Sequence, residues 1–134
     1  MFLAIEHATV TYPGSAAQRS AVQDVSLVLR RGEIGVLIGP SGCGKTSLLR
    51  AVAGLEPLAG GRIVIDGEVL ADAASGVHVA PEARRIGMVF QDYALFPHLS
   101  VADNVAFGIA GWNRGERESR VQQMLDLVGL AHAA

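Results

Sequence analysis

The sequence predicts an α/β fold organised around a loop that can bind phosphate groups. An apolar run over residues 34–38 precedes the segment 39–46, which reads G-P-S-G-C-G-K-T and fits the pattern G-x-x-x-x-G-K-[S/T]. Apolar residues at helical spacing follow at Leu48, Val52 and Leu55. A strand, a glycine-rich loop and a helix in this order form the context in which the pattern cradles the phosphates of a nucleotide.

Length and composition indicate one domain, or part of one, without a bias toward nucleic acid. The chain has 134 residues, of which 50% are hydrophobic, and a net charge of -2. This charge gives no reason to expect nucleic acid as a partner. The apolar start over 1–5 is ended by Glu6 and lacks a preceding basic region, which predicts no signal peptide. No apolar run approaches the ~18 residues needed to cross a bilayer, so a membrane role is expected only through partners.

Two strands are predicted before the loop. Residues 3–12 alternate with a rough period of two and include β-branched residues, and residues 22–30 place apolar side chains at alternate positions. The Pro-Gly-Ser segment at 13–15 predicts a turn between them. A second turn at 31–33 leads into the predicted strand over 34–38.

The loop contains the groups that phosphate binding needs. Its glycines let the backbone curl so that successive N–H groups point into one concavity, to which the following helix adds its positive N-terminal end. Lys45 brings a full charge to the β- and γ-phosphates, and the hydroxyl of Thr46 is placed to ligate Mg²⁺. A glycine-rich turn with an exposed lysine is the simpler interpretation, which the strand and helix context disfavours. The predicted nucleotide-binding residues of the loop are Gly39, Pro40, Ser41, Gly42, Cys43, Gly44, Lys45 and Thr46.

The chain after the loop predicts a hairpin and then a strand that ends in a glutamine. The helix is expected to stop at Pro57, and residues 62–69 predict a hairpin around an Asp-Gly turn. A strand over 86–90 ends at Gln91. A side chain at the carboxyl end of a strand beside the phosphate loop faces the phosphate crevice. Gln91 is therefore a candidate for holding Mg²⁺ or the attacking water, and a surface glutamine is the alternative.

Two further helices are predicted in the last third of the chain. Ser100 has the features of an N-cap, with Asp103 in the first turn, and starts a helix that continues to 109. An amphipathic helix begins at Glu116 and ends near Gly129.

Three segments together resemble the nucleotide-binding subunits of ATP-binding-cassette (ABC) transporters. They are Tyr12, the run G-P-S-G-C-G-K-T-S-L-L-R-A-V-A-G-L-E at 39–56, and the run R-R-I-G-M-V-F-Q-D-Y-A-L-F-P-H-L-S-V-A-D-N-V-A-F-G at 84–108. Taken alone, Tyr12 is more simply a strand-end residue at the rim of the core, whereas the resemblance implies that its ring stacks on adenine. The resemblance implies an incomplete P-loop NTPase (ABC ATPase) core, with an antiparallel β portion and the start of a helical subdomain.

The resemblance also implies roles for single residues. Lys45 and Gln91 are implied as catalytic residues, with Gln91 approaching Mg²⁺ and the γ-phosphate, and Thr46 as the second Mg²⁺ ligand. Ser47 adds a hydroxyl toward the α-phosphate. The stretch Asp92–Leu99 resembles the surface that contacts the membrane permease subunits.

The activity implied by the resemblance is ATP hydrolysis coupled to solute import. The sequence of residues 91–101 is most similar to that of importers of ferric iron, polyamines, sulfate and molybdate. Ferric iron is the leading cargo that the resemblance implies. The implied partners are ATP, the permease subunits, a second copy of the ATPase subunit and, indirectly, a solute-binding protein. The implied location is the cytoplasmic face of the bacterial inner membrane, as a peripheral subunit.

Some family motifs are missing from this sequence. The L-S-G-G-Q signature, the strand ending in Asp-Glu that supplies a general base, and the switch histidine are not found. We therefore expect the N-terminal part of a nucleotide-binding domain, with 1–91 as the β-rich and P-loop core and 92–134 as the start of the helical subdomain. We do not expect it to hydrolyse ATP alone. A non-catalytic nucleotide-binding or interaction module is the alternative, and a small P-loop kinase or GTPase is disfavoured by the Tyr12 and Gln91 matches.

Overall fold

A computed structural model describes residues 1–12 and 20–133 of the chain. These residues divide into two units, Met1–Met88 and Val89–Ala134. The turn predicted at 13–15 lies outside the described residues.

The first unit contains one antiparallel sheet. Its five strands are β1 (Leu3–Thr11), β2 (Ser20–Leu29), β3 (Gly60–Ile65), β4 (Glu68–Asp72) and β5 (Val77–His78). β1 lies between β2 and β3, and β4 and β5 follow beyond β3. The two strands predicted before the loop are confirmed, and so is the hairpin, whose turn between β3 and β4 consists of Asp66 and Gly67.

The helix predicted after the loop is also confirmed, and it completes the core of the first unit. α1 (Lys45–Ala53) places Leu48 and Ala51 against the apolar side chains of the sheet, including Ile5 and Ile63. Both isoleucines are fully buried. Burial of an isoleucine or leucine side chain stabilises a fold by roughly 1.5–3 kcal/mol. The apolar side chains that alternate along the strands and those spaced along the helix therefore pack into one core.

The end of α1 differs from the prediction. The helix ends at Ala53 rather than at Pro57. Gly54 adopts a left-handed φ of +86° and donates its N–H to the carbonyl of Ala51 over 3.1 Å. Because glycine reaches this conformation without steric cost, it stops the helix before proline is met.

The strand predicted over 34–38 is wrong. The segment 33–40 is not part of any strand in the described structure. Ile34 and Ile38 are 90% and 92% exposed, while Gly35 and Leu37 line an apolar cavity of about 330 Å³. Apolar residues on both faces are typical of a central parallel strand, which needs a neighbour on each side. The described residues provide no such neighbours. The segment therefore has the composition of a strand but lacks hydrogen bonds to neighbouring strands.

The strand predicted over 86–90 is wrong for the same physical reason. These residues belong to no strand in the described part of the chain. Ile86 and Met88 are half-buried, and Val89 is exposed. An apolar run alone therefore does not define a strand when no partner supplies the backbone hydrogen bonds.

The second unit is built from two helices, α2 (Val101–Ala106) and α3 (Arg114–Leu127). The predicted cap of α2 is confirmed, because the Ser100 hydroxyl accepts a hydrogen bond from the N–H of Asp103 over 3.1 Å. α3 starts two residues before the predicted Glu116, and Asn113 caps it. The helices share a small core formed by Ala106, Val121 and Leu125.

Candidate functional site

Two glycines of the phosphate loop adopt left-handed backbone conformations. Gly42 and Gly44 have φ values of +79° and +95°. Gly44 also lies directly against β2, since a Cβ at this position would be 1.9 Å from the carbonyl oxygen of Ala21. Gly44 is the N-cap of α1 and provides no side-chain cap. The first N–H groups of a helix lack intrahelical partners, so this end of α1 is suited to an anion.

Lys45 lies at the centre of the loop. Its Nζ donates to the carbonyls of Gly39 and Pro40 over 2.8 and 2.7 Å. Its third neighbour is the Sγ atom of Cys43 at 3.5 Å. An ammonium group has three N–H donors and sulfur is a weak acceptor, so a phosphate oxygen would be a better partner for the third donor. The loop therefore fixes the lysine while one donor direction stays available.

Tyr12 is joined to the first turn of α1. Its hydroxyl lies 3.0 Å from the Oγ atom of Ser47, with either group able to donate. Ser47 is nearly buried, whereas 42% of Tyr12 is exposed. The sequence reasoning suggested both residues for one ligand without indicating that they contact each other. The contact brings the aromatic ring at the end of β1 to the phosphate loop.

These residues surround a cleft of about 580 Å³. Small-molecule sites commonly have volumes of about 300–1,000 Å³ with a few polar groups, so the size and the donors fit a nucleotide. The apolar cavity beside Gly35 and Leu37 is lined by aliphatic side chains and offers no such groups. Gly39 and Pro40 do not line the cleft, but their carbonyls accept hydrogen bonds from Lys45. Ser41 is exposed. The cleft is lined by Tyr12, Ser20, Ala21, Gly42, Cys43, Gly44, Lys45, Thr46 and Ser47.

The two residues predicted to ligate Mg²⁺ lie in different units. Thr46 is exposed and lines the cleft. Gln91 is an exposed turn residue of the second unit, so its approach to the phosphates stays a prediction. Mg²⁺ binds oxygen ligands and is usually held by one or two protein groups together with substrate phosphates. The Thr46 hydroxyl has the chemistry for this role.

A second candidate surface lies on the loop 92–99 of the second unit. Tyr93 is 83% exposed and adopts a left-handed φ of +60°. Phe96 packs on Phe107 with ring centroids 4.3 Å apart. Asn104 holds the loop to α2, since its Oδ1 accepts from the N–H of Phe96 over 2.9 Å and its Nδ2 donates to the Ser100 carbonyl over 2.9 Å. The loop is therefore a fixed surface with exposed apolar side chains.

Arg84, the first residue of the family-like run 84–108, is buried at the opposite end of α1 from the loop. Burial lowers the pKa of its guanidinium. The group nevertheless stays charged at neutral pH, because the ordinary pKa of arginine is above ~12. No local sequence pattern indicates this placement, since it depends on a contact between segments 33 residues apart.

The family model described as "ABC transporter" matches residues 22–134. The chain belongs to the ABC transporter family. The prediction drawn from the phosphate loop and the segment 84–108 is confirmed at this level. None of the helices in the part of this ABC transporter chain that the structure describes has the length and apolar character that crossing a bilayer requires.

The curated relatives of this ABC transporter chain are ATP-binding subunits of importers. It is 45% identical to the Fe(3+) ions import ATP-binding protein FbpC of Streptomyces coelicolor, over 98% of this chain and 36% of that protein. It is 47% identical to the maltose/maltodextrin import ATP-binding protein MalK of Mannheimia succiniciproducens, over 82% of this chain and 28% of that protein. It is 53% identical to the spermidine/putrescine import ATP-binding protein PotA of Methylococcus capsulatus, over 76% of this chain and 25% of that protein. The chain thus spans about a third or less of the length of these relatives.

Solved structures agree on the fold of this ABC transporter chain. A dimeric, post-hydrolysis structure of the ATP-binding cassette MJ0796 bound to ADP and Pi aligns with a TM-score of 0.78 and 27% identity. The alignment covers 92% of this chain and 56% of that chain. The predicted fold class, a partial P-loop NTPase core with an antiparallel β portion and helices, is therefore confirmed.

Proposed function

We propose that this chain is the nucleotide-binding part of an ABC importer subunit and holds Mg-ATP in the cleft beside Lys45. The observation that supports this most directly is the Lys45 ammonium, which two loop carbonyls fix at the mouth of a left-handed glycine loop. Preorganised cations and helix N-termini stabilise phosphates without reorganisation cost when the ligand arrives.

Each residue of the cleft has a defined part in this proposal. Lys45 binds the β- and γ-phosphates, the Ser47 hydroxyl faces the α-phosphate, and the Tyr12 ring stacks on adenine. The Thr46 hydroxyl would hold Mg²⁺, and Gln91 is the second proposed ligand; the bound ion would neutralise developing charge on the phosphates. Lys45 and Gln91 are the residues of this chain that would act on the reacting phosphate.

Turnover is proposed to need more than this chain. Phosphoryl transfer to water requires a group that orients the attacking water, and the sequence contains no apolar strand ending in Asp-Glu for that role. We propose that such a group and a second ATPase subunit complete the site in the whole transporter. The chain alone then binds Mg-ATP without steady hydrolysis.

The Tyr12 role is tested by separating the ring from the hydroxyl. We expect Tyr12→Ala to weaken Mg-ATP binding about 10-fold, because stacking of a base on an aromatic ring is worth about 1–3 kcal/mol. Tyr12→Phe keeps the ring and loses only the bond to Ser47, so its Kd should stay within about 3-fold of the wild-type value. Calorimetric titration of both variants with Mg-ATP measures the two effects.

Inorganic triphosphate is the control ligand for Tyr12, since it lacks the base. Tyr12→Ala should leave triphosphate binding unchanged. An equal loss for triphosphate and ATP would show that Tyr12 acts by holding the loop through Ser47. A Tyr12→Phe variant as weak as Tyr12→Ala would contradict the stacking role.

For the whole protein we propose ferric iron as the leading cargo, with a polyamine as the second candidate. Ferric iron is supported by a relative that aligns with 98% of the chain, and a polyamine by the relative with 53% identity. The subunit would lie peripherally at the cytoplasmic face of the bacterial inner membrane, with permease subunits on the loop 92–99 and a solute-binding protein acting indirectly. Deleting the gene should abolish uptake of radiolabelled iron and spare putrescine and maltose. Loss of putrescine uptake alone would replace iron with a polyamine.

A further inference from the structure

Arg84 is a charged residue that is as buried as a residue of the hydrophobic core. Only 5% of it is exposed. Its Nε atom donates to the carbonyl of Val79 over 2.8 Å, and its Nη1 atom donates to the carbonyls of Ala51 and Val52, each over 2.9 Å. Ala51 and Val52 belong to the last turn of α1, whose final carbonyls have no partner inside the helix. The guanidinium therefore donates to both of these carbonyls, and at Ala51 it adds to the hydrogen bond from the Gly54 N–H.

The residue after α1 leaves room for this guanidinium. A Cβ at Gly54 would lie 2.5 Å from the Nε atom of Arg84, closer than side chains approach in real proteins. A positive group at the C-terminal end of a helix is also favoured by the helix dipole. Arg84 and the end of α1 therefore form one fitted contact.

α1 is positioned by packing against the sheet and by contacts at both of its ends. Its buried residues are Ser47, Leu48, Ala51 and Ala53, three of which are small. Small side chains bury little apolar area, so the hydrogen bonds at the helix ends add to the placement that the core contacts provide. The opposite end of the same helix begins with Lys45 and Thr46, which line the cleft.

We infer that Arg84 is a positioning residue for the phosphate loop, because it fixes the end of α1 and so determines where the other end presents Lys45. α1 has nine residues, and a helix of this length moves nearly as a rigid rod, so a tilt at one end displaces the other. The effect on nucleotide affinity rests on the proposed function. The effect on the placement of Lys45 does not.

Two arginines near the end of α1 provide a matched comparison. Arg84→Met removes the guanidinium and keeps the aliphatic stem, whereas Arg84→Lys keeps the charge with fewer directed donors. Arg50→Met is the control, since Arg50 lies in the last turn of the same helix but forms only a partly exposed pair with Glu56. We expect the Kd for Mg-ATP to rise about 10-fold in Arg84→Met, about 3-fold in Arg84→Lys and less than 2-fold in Arg50→Met.

A nucleotide-free readout separates positioning from general stability. Lys45 is the only lysine of the chain, so labelling with ¹⁵N-lysine gives one backbone amide signal, located at the start of α1. We expect this signal to shift in Arg84→Met and by a smaller amount in Arg84→Lys. Arg50→Met should leave it in place.

The outcomes distinguish the inference from the proposed function. If the wild-type chain does not bind Mg-ATP, the proposed function fails, while the Lys45 signal still decides the role of Arg84. A lower melting temperature in Arg84→Met with an unchanged Lys45 signal and Kd would make Arg84 a stability residue only and overturn the inference. Should Arg84→Met not fold, Arg84→Lys decides, since a wild-type signal and Kd in that variant would also overturn it.

Discussion

Replacing Lys45 with alanine is expected to weaken Mg-ATP binding by at least about 100-fold. Hydrogen bonds between charged groups are worth roughly 1.5–3 kcal/mol each, and 1.4 kcal/mol corresponds to a factor of ten in Kd. Lys45→Ala removes the charge that we propose binds the phosphates and also the two bonds to the carbonyls of Gly39 and Pro40. The loop then loses both its phosphate-binding cation and the hydrogen bonds that stabilise its conformation. Calorimetric titration with Mg-ATP measures the loss.

The control for Lys45 is Arg50→Ala. Arg50 is a cation on the same helix, but its guanidinium is paired with Glu56 at 3.3 Å and is not among the residues that line the cleft. This variant should change the Kd less than about 2-fold, since a partly exposed ion pair contributes little. A folded Lys45→Ala chain that binds Mg-ATP with the wild-type Kd would refute the proposed site.

Gly44→Ala is expected to lower the free energy of unfolding by about 3 kcal/mol or more. The left-handed φ of +95° costs an alanine about 1–2 kcal/mol. The added Cβ would also meet the Ala21 carbonyl oxygen at 1.9 Å, so α1 and β2 must move apart. Forcing packed elements apart costs typically about 1–3 kcal/mol.

Gly42→Ala isolates the conformational part of this cost. Gly42 has a similar φ of +79°, but its Cβ position is open. Urea unfolding followed by far-ultraviolet circular dichroism should therefore give a loss of about 1–2 kcal/mol for Gly42→Ala and a clearly larger loss for Gly44→Ala. Equal losses would mean that the contact with β2 relaxes without cost, and that the loop is not fixed to the sheet.

The sequence predicted the local parts of the site well. The loop pattern predicted a helix directly after residue 46, and α1 begins two residues earlier, at Lys45. Ser100 predicted a cap, and its hydroxyl accepts from the N–H of Asp103. These features depend on neighbours within a few residues, which a sequence displays directly.

The remaining features depend on contacts between distant segments. The bond between Tyr12 and Ser47 joins residues 35 positions apart, and Arg84 reaches across 33 positions to Ala51. The segment 34–38 has the composition of a central strand, but pairing requires neighbours that the described residues do not provide. The composition of this segment is therefore that of a buried strand. The strand pairing that would bury it could not be inferred from the sequence.

The unpaired segment 33–40 also limits how this chain behaves at high concentration. It combines unpartnered backbone with exposed Ile34, Val36 and Ile38, which is the arrangement that allows edge-to-edge pairing between copies. Species with such edges aggregate at micromolar to millimolar concentrations, and in cells they are the targets of chaperones. We therefore expect aggregation of this chain to start from a segment that directly precedes the phosphate loop, so that aggregation and nucleotide binding would involve adjacent residues.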